Sequence, residues 1–193
     1  MKIVSIDIET TGLDINLCQV IEIGAVIEDP VNIVPLEELP EFRAMLHYDT
    51  LHWEEVAQGL HKESGLLEEW EAAKAQGLLT QPEKVASMFR SFLIENGFVP
   101  GDEGQVVILA AGKNFTRFDR PRLEKLPEWK ANIRFHNWAY DPCAYYIDVK
   151  TDQKPPDLKE CKRRAGLIET KVIHKAVPDA KAIIELLRIK NIY

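Results

Sequence analysis

Ser5-Ile6-Asp7-Ile8-Glu9-Thr10-Thr11-Gly12 decides how the chain is read, because it puts two carboxylates into an otherwise apolar, β-branched run. Residues 1 to 8 carry Ile3, Val4, Ile6 and Ile8 and give way to Thr-Thr-Gly, the pattern of a buried strand that ends in a turn. Side chains of a strand alternate between faces. Val4, Ile6 and Ile8 therefore point one way, and Ser5, Asp7 and Glu9 the other, with the two acids about 6.6 Å apart along the strand. At an effective dielectric of about 20 their repulsion is on the order of 2.5 kcal/mol, before any cost of desolvation. A divalent cation reverses that sign. Carboxylate oxygens suit hard cations such as magnesium and manganese, whereas zinc would call for cysteines or a histidine cluster that the sequence lacks. An exposed edge strand with solvated acids is the plainer alternative, and the remaining sequence has to separate the two.

The segment 19–28 alternates around Val20, Ile21, Ile23, Ala25, Val26 and Ile27 and predicts a second strand returning beside the first; a third is expected over 41–46. Prolines 30, 35 and 40 mark the long loop between them. Residues 53–76 read as helical. A further helix opens at Gln81-Pro82-Glu83, with Val85, Met88, Phe89, Phe92 and Leu93 at helical spacing as core positions. After the loop 98–104, residues 105–111 suit a buried strand, and 116–126 a helix despite Pro121. A short helix is expected over 158–165, and Pro178 opens the last one, with Ala182, Ile183, Leu186 and Leu187 inward. Three antiparallel strands followed by strand–helix crossovers describe an α/β fold: a mixed sheet flanked by helices, with a site expected at strand ends.

A chain of 193 residues fits one domain. Its apolar share of 46% and charged share of 28% are those of a soluble globular protein, and no apolar run approaches the roughly 20 residues of a membrane span. Asp7 and Glu9 interrupt the stretch that a signal peptide would keep uncharged, so a cytoplasmic location and no membrane partner are expected. Cys18, Cys143 and Cys161 are an odd, scattered set consistent with reduced thiols. The net charge of −7 divides unevenly. Residues 1–100 hold 6 Lys+Arg against 18 Asp+Glu, and residues 101–193 hold 18 against 13. Acids in the first half to hold cations and bases in the second to hold phosphates suit an enzyme acting on a polyanion.

Two further acids sit where they can converge on the first pair. Asp119 follows the strand at 105–111, within Gly112-Lys113-Asn114-Phe115-Thr116-Arg117-Phe118-Asp119, and Asp179 lies in His174-Lys175-Ala176-Val177-Pro178-Asp179. Each also suits simple helix capping. Five residues separate His174 from Asp179, so on one helix they would face different ways, and one of them should belong to a loop. Imidazoles titrate near neutrality, which fits His174 to activate a water beside metal-bound carboxylates.

Asp7-Ile8-Glu9-Thr10-Thr11-Gly12, the stretch from Asn114 to Asp119, and His174-x-Ala176-x-x-Asp179 together resemble the three ordered motifs of the DnaQ-like 3′-to-5′ exonucleases, in their histidine-containing DEDDh branch. The resemblance spans residues 1–193 as a single domain and implies a ribonuclease H-like, mixed five-stranded sheet. It also implies metal-dependent hydrolysis of single-stranded RNA or DNA from the 3′ end to nucleoside 5′-monophosphates. Asp7, Glu9, Asp119 and Asp179 would hold two Mg2+ or Mn2+ ions, with His174 as general base. Thr10, Thr11, Gly12 and Leu13, with Asn114, would receive the terminal nucleotide through backbone amides and an apolar wedge. The spacing of Asn114 from Asp119, and His61-Lys62-Glu63-Ser64-Gly65-Leu66-Leu67, are similar to oligoribonucleases, which act on short RNA as homodimers; Trp138 or Tyr140 would then be the aromatic residue offered to a partner. Arg122, where the family often has a large apolar residue, and Pro178, directly before the last acid, depart from the pattern. A DNA-directed exonuclease of proofreading or repair and a non-catalytic nucleic-acid-binding module on the same fold are the alternatives.

Overall fold

The computed structural model describes residues 1–193. The opening β-branched run forms β1 (Ile3–Thr10), starting and ending two residues later than expected, so that Glu9 and Thr10 still belong to the strand. β2 (Val20–Glu28) returns antiparallel to it, and β3 (Glu41–Met45) returns antiparallel to β2. Helices α1 (Glu55–Glu63) and α2 (Leu66–Ala75) follow, then α3 (Pro82–Glu95) and β4 (Val106–Ala111). The rest of the chain forms α4 (Asp119–Leu123), α5 (Trp129–Asn132), β5 (Ile133–Tyr140), α6 (Cys143–Tyr146), α7 (Leu158–Arg164) and α8 (Ala176–Ile189). The sheet order is β3-β2-β1-β4-β5, with β4 parallel to β1 and β5 parallel to β4. This is the mixed five-stranded α/β sheet of the ribonuclease H-like class. No helix is long and apolar enough to cross a membrane.

β1 lies in the middle of the sheet and is covered on both sides. Val4, Ile6 and Ile8 face a core closed by Val85, Phe89 and Leu93 of α3 and by Trp129 and Phe135. Ile3 faces the second core, which α8 fills with Val177, Ala180, Ile183, Ile184, Leu186 and Leu187. The Ser5 hydroxyl donates to the Ala180 carbonyl at 2.8 Å, so the odd-numbered face of β1, with Asp7 and Glu9 at its end, lies under the start of α8.

Several elements differ from expectation. The helix predicted over 53–76 breaks into α1 and α2 at Gly65, whose φ of 75° a residue without Cβ adopts freely. The helix expected over 116–126 shortens to α4, because Asn114 at φ 56° turns the chain and residues 115–118 form turns instead. β5 is an additional strand in which only Ile133 and Phe135 are buried, so its apolar alternation is confined to its first half. Met88 of α3 is exposed rather than core. α8 begins at Ala176, two residues before Pro178, which a proline tolerates because first-turn N–H groups have no partner within the helix.

Candidate functional site

β1 projects Asp7 and Glu9 from the same face, opposite Gly24 and Glu22 of β2. Gly24 matters because a Cβ there would stand 2.4 Å from the Ala176 carbonyl carbon and the Val177 nitrogen, so only glycine lets α8 start directly over the strand pair. That approach brings Asp179, in the first turn of α8, to the acids of β1. The Asp179 carboxylate reaches back beyond its helix and accepts the main-chain N–H of His174 at 3.0 Å and of Ile173 at 3.3 Å. His174 is in the preceding loop at φ 55°. Asp119 is the first residue of α4 and is buried.

All five groups, Asp7, Glu9, Asp119, Asp179 and His174, line one cavity of about 910 Å3. Within it Glu9, His174 and Asp179 bring a ligand atom each to within 4.8 Å of one another. Asp7 and Asp119 lie outside this trio but line the same cavity. The electrostatics follow from crowding acids away from water. Burial first, then the charges of Glu9, Asp119, Asp179 and Glu22, holds the Asp7 carboxyl well above the usual carboxylate range. Burial, reinforced by Asp179, Glu22 and Asp119, pushes Glu9 up to about 8. Burial also raises Asp119 to about 8, against the pull of nearby main-chain amides, Arg122 and Lys113. Asp179 is raised by burial too, and its two amide donors work against the shift. Four acids, each disfavoured as a lone anion, with one imidazole among them, form an oxygen-rich donor set that fits a hard divalent cation.

The turn after β1 forms one wall. Leu13 is 72% exposed and lines the cavity, as does Asn114, whose amide donates to Asp141 at 2.8 Å. Thr10 and Thr11 are buried. The Thr10 hydroxyl donates to the Gly12 carbonyl, while the amide and hydroxyl of Thr11 both bond Gln19. Glu54 closes over Gly12, where a Cβ would stand 2.4 Å from its carboxyl carbon, and accepts the Asp14 amide at 3.0 Å. Thr11 therefore shapes the turn from beneath, with no free amide to offer.

Three residues absent from the sequence-based site stand next to it. Arg122 lies 3.8 Å over the Phe118 ring and donates to the carbonyls of Phe118 and Leu13, tying α4 to the turn. Glu22, fully buried in an apolar strand, accepts the Ala176 amide at 2.9 Å and pairs with Arg43 at 2.5 Å. His61, also buried, lies 2.9 Å from the Thr10 carbonyl and 3.7 Å from Glu9. An acid within the apolar run Val-Ile-Glu-Ile is the readable sign of Glu22; Arg122 is visible in the sequence only as a charge in place of an apolar residue.

No curated protein matches the chain. Among solved structures, S. pombe Pop2p in its Mg2+- and Mn2+-bound form matches with a TM-score of 0.62 at 17% identity, over 96% of this chain and 81% of that one. E. coli exonuclease I in complex with a dT13 oligonucleotide gives 0.59 at 16% identity, over 97% of this chain and 40% of that one. Cell-death related nuclease 4 gives 0.64 at 14%, over 99% and 64%. The chain thus spans well under half of exonuclease I, and at these identities the likeness is one of fold. The family model described as exonuclease, RNase_T, matches residues 4–187, and on that match the chain belongs to the DnaQ-like exonuclease family.

Proposed function

We propose that the protein is a metal-dependent 3′-to-5′ exonuclease that shortens single-stranded nucleic acid, short RNA in particular, to nucleoside 5′-monophosphates, with residues 1–193 working as one domain. The observation that carries this reading is the convergence of Asp7, Glu9, Asp119, Asp179 and His174 on one cavity beside the open Leu13 side chain. In this reading the four acids hold two Mg2+ or Mn2+ ions, which when bound supply Lewis acidity to the scissile phosphate and lower the pKa of water. His174 takes the proton of the attacking water. Leu13 wedges against the terminal base, the turn Thr10-Thr11-Gly12 presents it, and Asn114 borders the same end.

Lys113, Lys159 and Lys171 on the cavity wall give phosphates of an incoming strand positive partners. The oligonucleotide-bound exonuclease I and the Mg2+- and Mn2+-bound Pop2p support a single strand and these cations by likeness of fold. The preference for short RNA rests on the oligoribonuclease-like segments. Trp138, 70% exposed on the edge strand β5, is the aromatic surface a homodimer would use.

5′-labelled RNA and single-stranded DNA of graded length, incubated with Mg2+ or Mn2+, test the proposal. The expected result is a ladder shortening from the 3′ end, fastest on short RNA and lost on chelation. Faster turnover of DNA moves the assignment to a DNA-directed exonuclease. Tight binding with no release of mononucleotides leaves a non-catalytic binding module.

A further inference from the structure

We propose that the charged chain Glu22–Arg43–Glu69–Lys175 positions His174, acting from outside the cavity; the inference rests on the nuclease reading above. His174 is a non-glycine residue in the left-handed region, a conformation that is strained for a residue with a Cβ and persists only where neighbours impose it. On one side the Asp179 carboxylate accepts its amide. On the other, the next two residues are each tied down. The Ala176 amide donates to a Glu22 oxygen at 2.9 Å, and the Lys175 ammonium pairs with Glu69.

The two ties share a hub. Arg43 of β3 donates its Nε to the other Glu22 oxygen at 2.5 Å and a terminal nitrogen to Glu69 at 2.6 Å. Glu69 itself sits on α2, which is fixed to the sheet by Trp70, buried and donating to the Leu46 carbonyl at 2.9 Å. Three separate elements thus converge on the two residues that follow His174. Glu22 shows that this is a structural use of charge. It stands opposite Glu9 in the β-ladder and is fully buried, yet both its oxygens are committed to Arg43 and Ala176. An isolated exposed pair would hold little, but a network anchored on a buried carboxylate holds geometry. Release of Lys175 and Ala176 would let the strained residue relax and carry its imidazole away from Glu9 and Asp179.

Steady-state hydrolysis of an oligonucleotide by Glu69→Gln, Lys175→Met and Lys175→Arg, each in the parent and in a His174→Ala background, tests this. Glu69 and Lys175 are both partly exposed, so either variant cuts the tie without emptying the core. Expected is a fall in kcat of about tenfold for Glu69→Gln and Lys175→Met with KM within about twofold, and recovery in Lys175→Arg. In the His174→Ala background the same changes should make no further difference. A rise in KM at constant kcat would assign Lys175 to the substrate instead and overturn the inference. Equal losses in both backgrounds would overturn it as well, by showing a general structural role. An inactive parent overturns the nuclease reading and this inference together; an active parent indifferent to Glu69→Gln overturns this inference alone.

Discussion

The main-chain N–H of His174 donates to the Asp179 carboxylate at 3.0 Å, so the acid that faces the cavity also holds the backbone of the histidine beside it. Asp179→Ala removes a candidate cation ligand and the acceptor of two amides at once, and both activity and loop order should fall. Asp179→Asn keeps one of the two oxygen acceptors, which can still serve the His174 amide, so it should lose activity alike while retaining more of the His174 chemical shifts than the alanine variant does. Parallel kinetics and NMR of the two variants check this.

Asp7 is held far above the usual carboxylate range in the metal-free protein, chiefly by burial. Asp7→Asn should therefore raise the metal-free melting temperature near pH 8 while abolishing hydrolysis, a gain of stability at the expense of the site. Loss of activity of at least about a hundredfold is expected if a ligand is removed. Calorimetric melts and an exonuclease assay on the same preparation decide it; full turnover by the variant would refute the site.

Glu9 and Asp119 titrate near 8 in the fold, against usual values of 4.5 and 3.8. The folded protein thus keeps protons that the unfolded chain has already released. The contribution of these two groups to metal-free stability should be intact below about pH 4 and be lost as pH rises towards 8, by about 1.4 kcal/mol for each tenfold difference in proton affinity between folded and unfolded chain. Mg2+ or Mn2+ should restore stability at pH 8 and do little at pH 5, where protons compete for the same oxygens. Urea titrations at the two pH values, with and without cation, measure both effects.

Gly24→Ala places a methyl carbon 2.4 Å from the backbone of Ala176 and Val177, which has no flexible end to move aside. The start of α8 should be pushed off β2 at a cost of about 1–3 kcal/mol in urea unfolding, with activity lost under conditions where the variant remains folded.

Arg122→Met retains bulk over Phe118 but releases the Leu13 carbonyl. The receiving turn should loosen, raising KM for oligonucleotide several-fold with a smaller effect on kcat; an unchanged KM would show that Leu13 takes no part in binding.

The central strand and its two acids are legible in the sequence because alternation in a buried strand is dictated by geometry alone. Val4, Ile6 and Ile8 do face one core while Asp7 and Glu9 share the opposite face. The division of His174 and Asp179 between loop and helix is legible for an equally local reason, the spacing of five. What cannot be read depends on neighbours distant in the chain. Glu22 stands out as an acid in an apolar run, but its purpose is hidden until α8 is seen to begin above it, and Arg122 looks like a misplaced charge until Leu13 lies within its reach. β5 is hidden because the alternation Ile133-Arg134-Phe135-His136 stops after four residues, and the strand's register against β4 slips before Ala139 and Tyr140 pair.

α8 has a consequence for how the protein breathes. Asp179 is in its first turn, the loop carrying His174 is bound to that turn, and the rest of the helix is buried against β1 and β2 through Ile183, Ile184, Leu186 and Leu187. Any excursion that lifts this helix off the sheet dismantles one side of the cavity in a single cooperative event, while Asp7 and Glu9 stay behind on the strand. A cation bridging strand and helix would act as a staple across that opening, so deuterium uptake by the amides of α8 should slow in step with occupancy and report it without any substrate present.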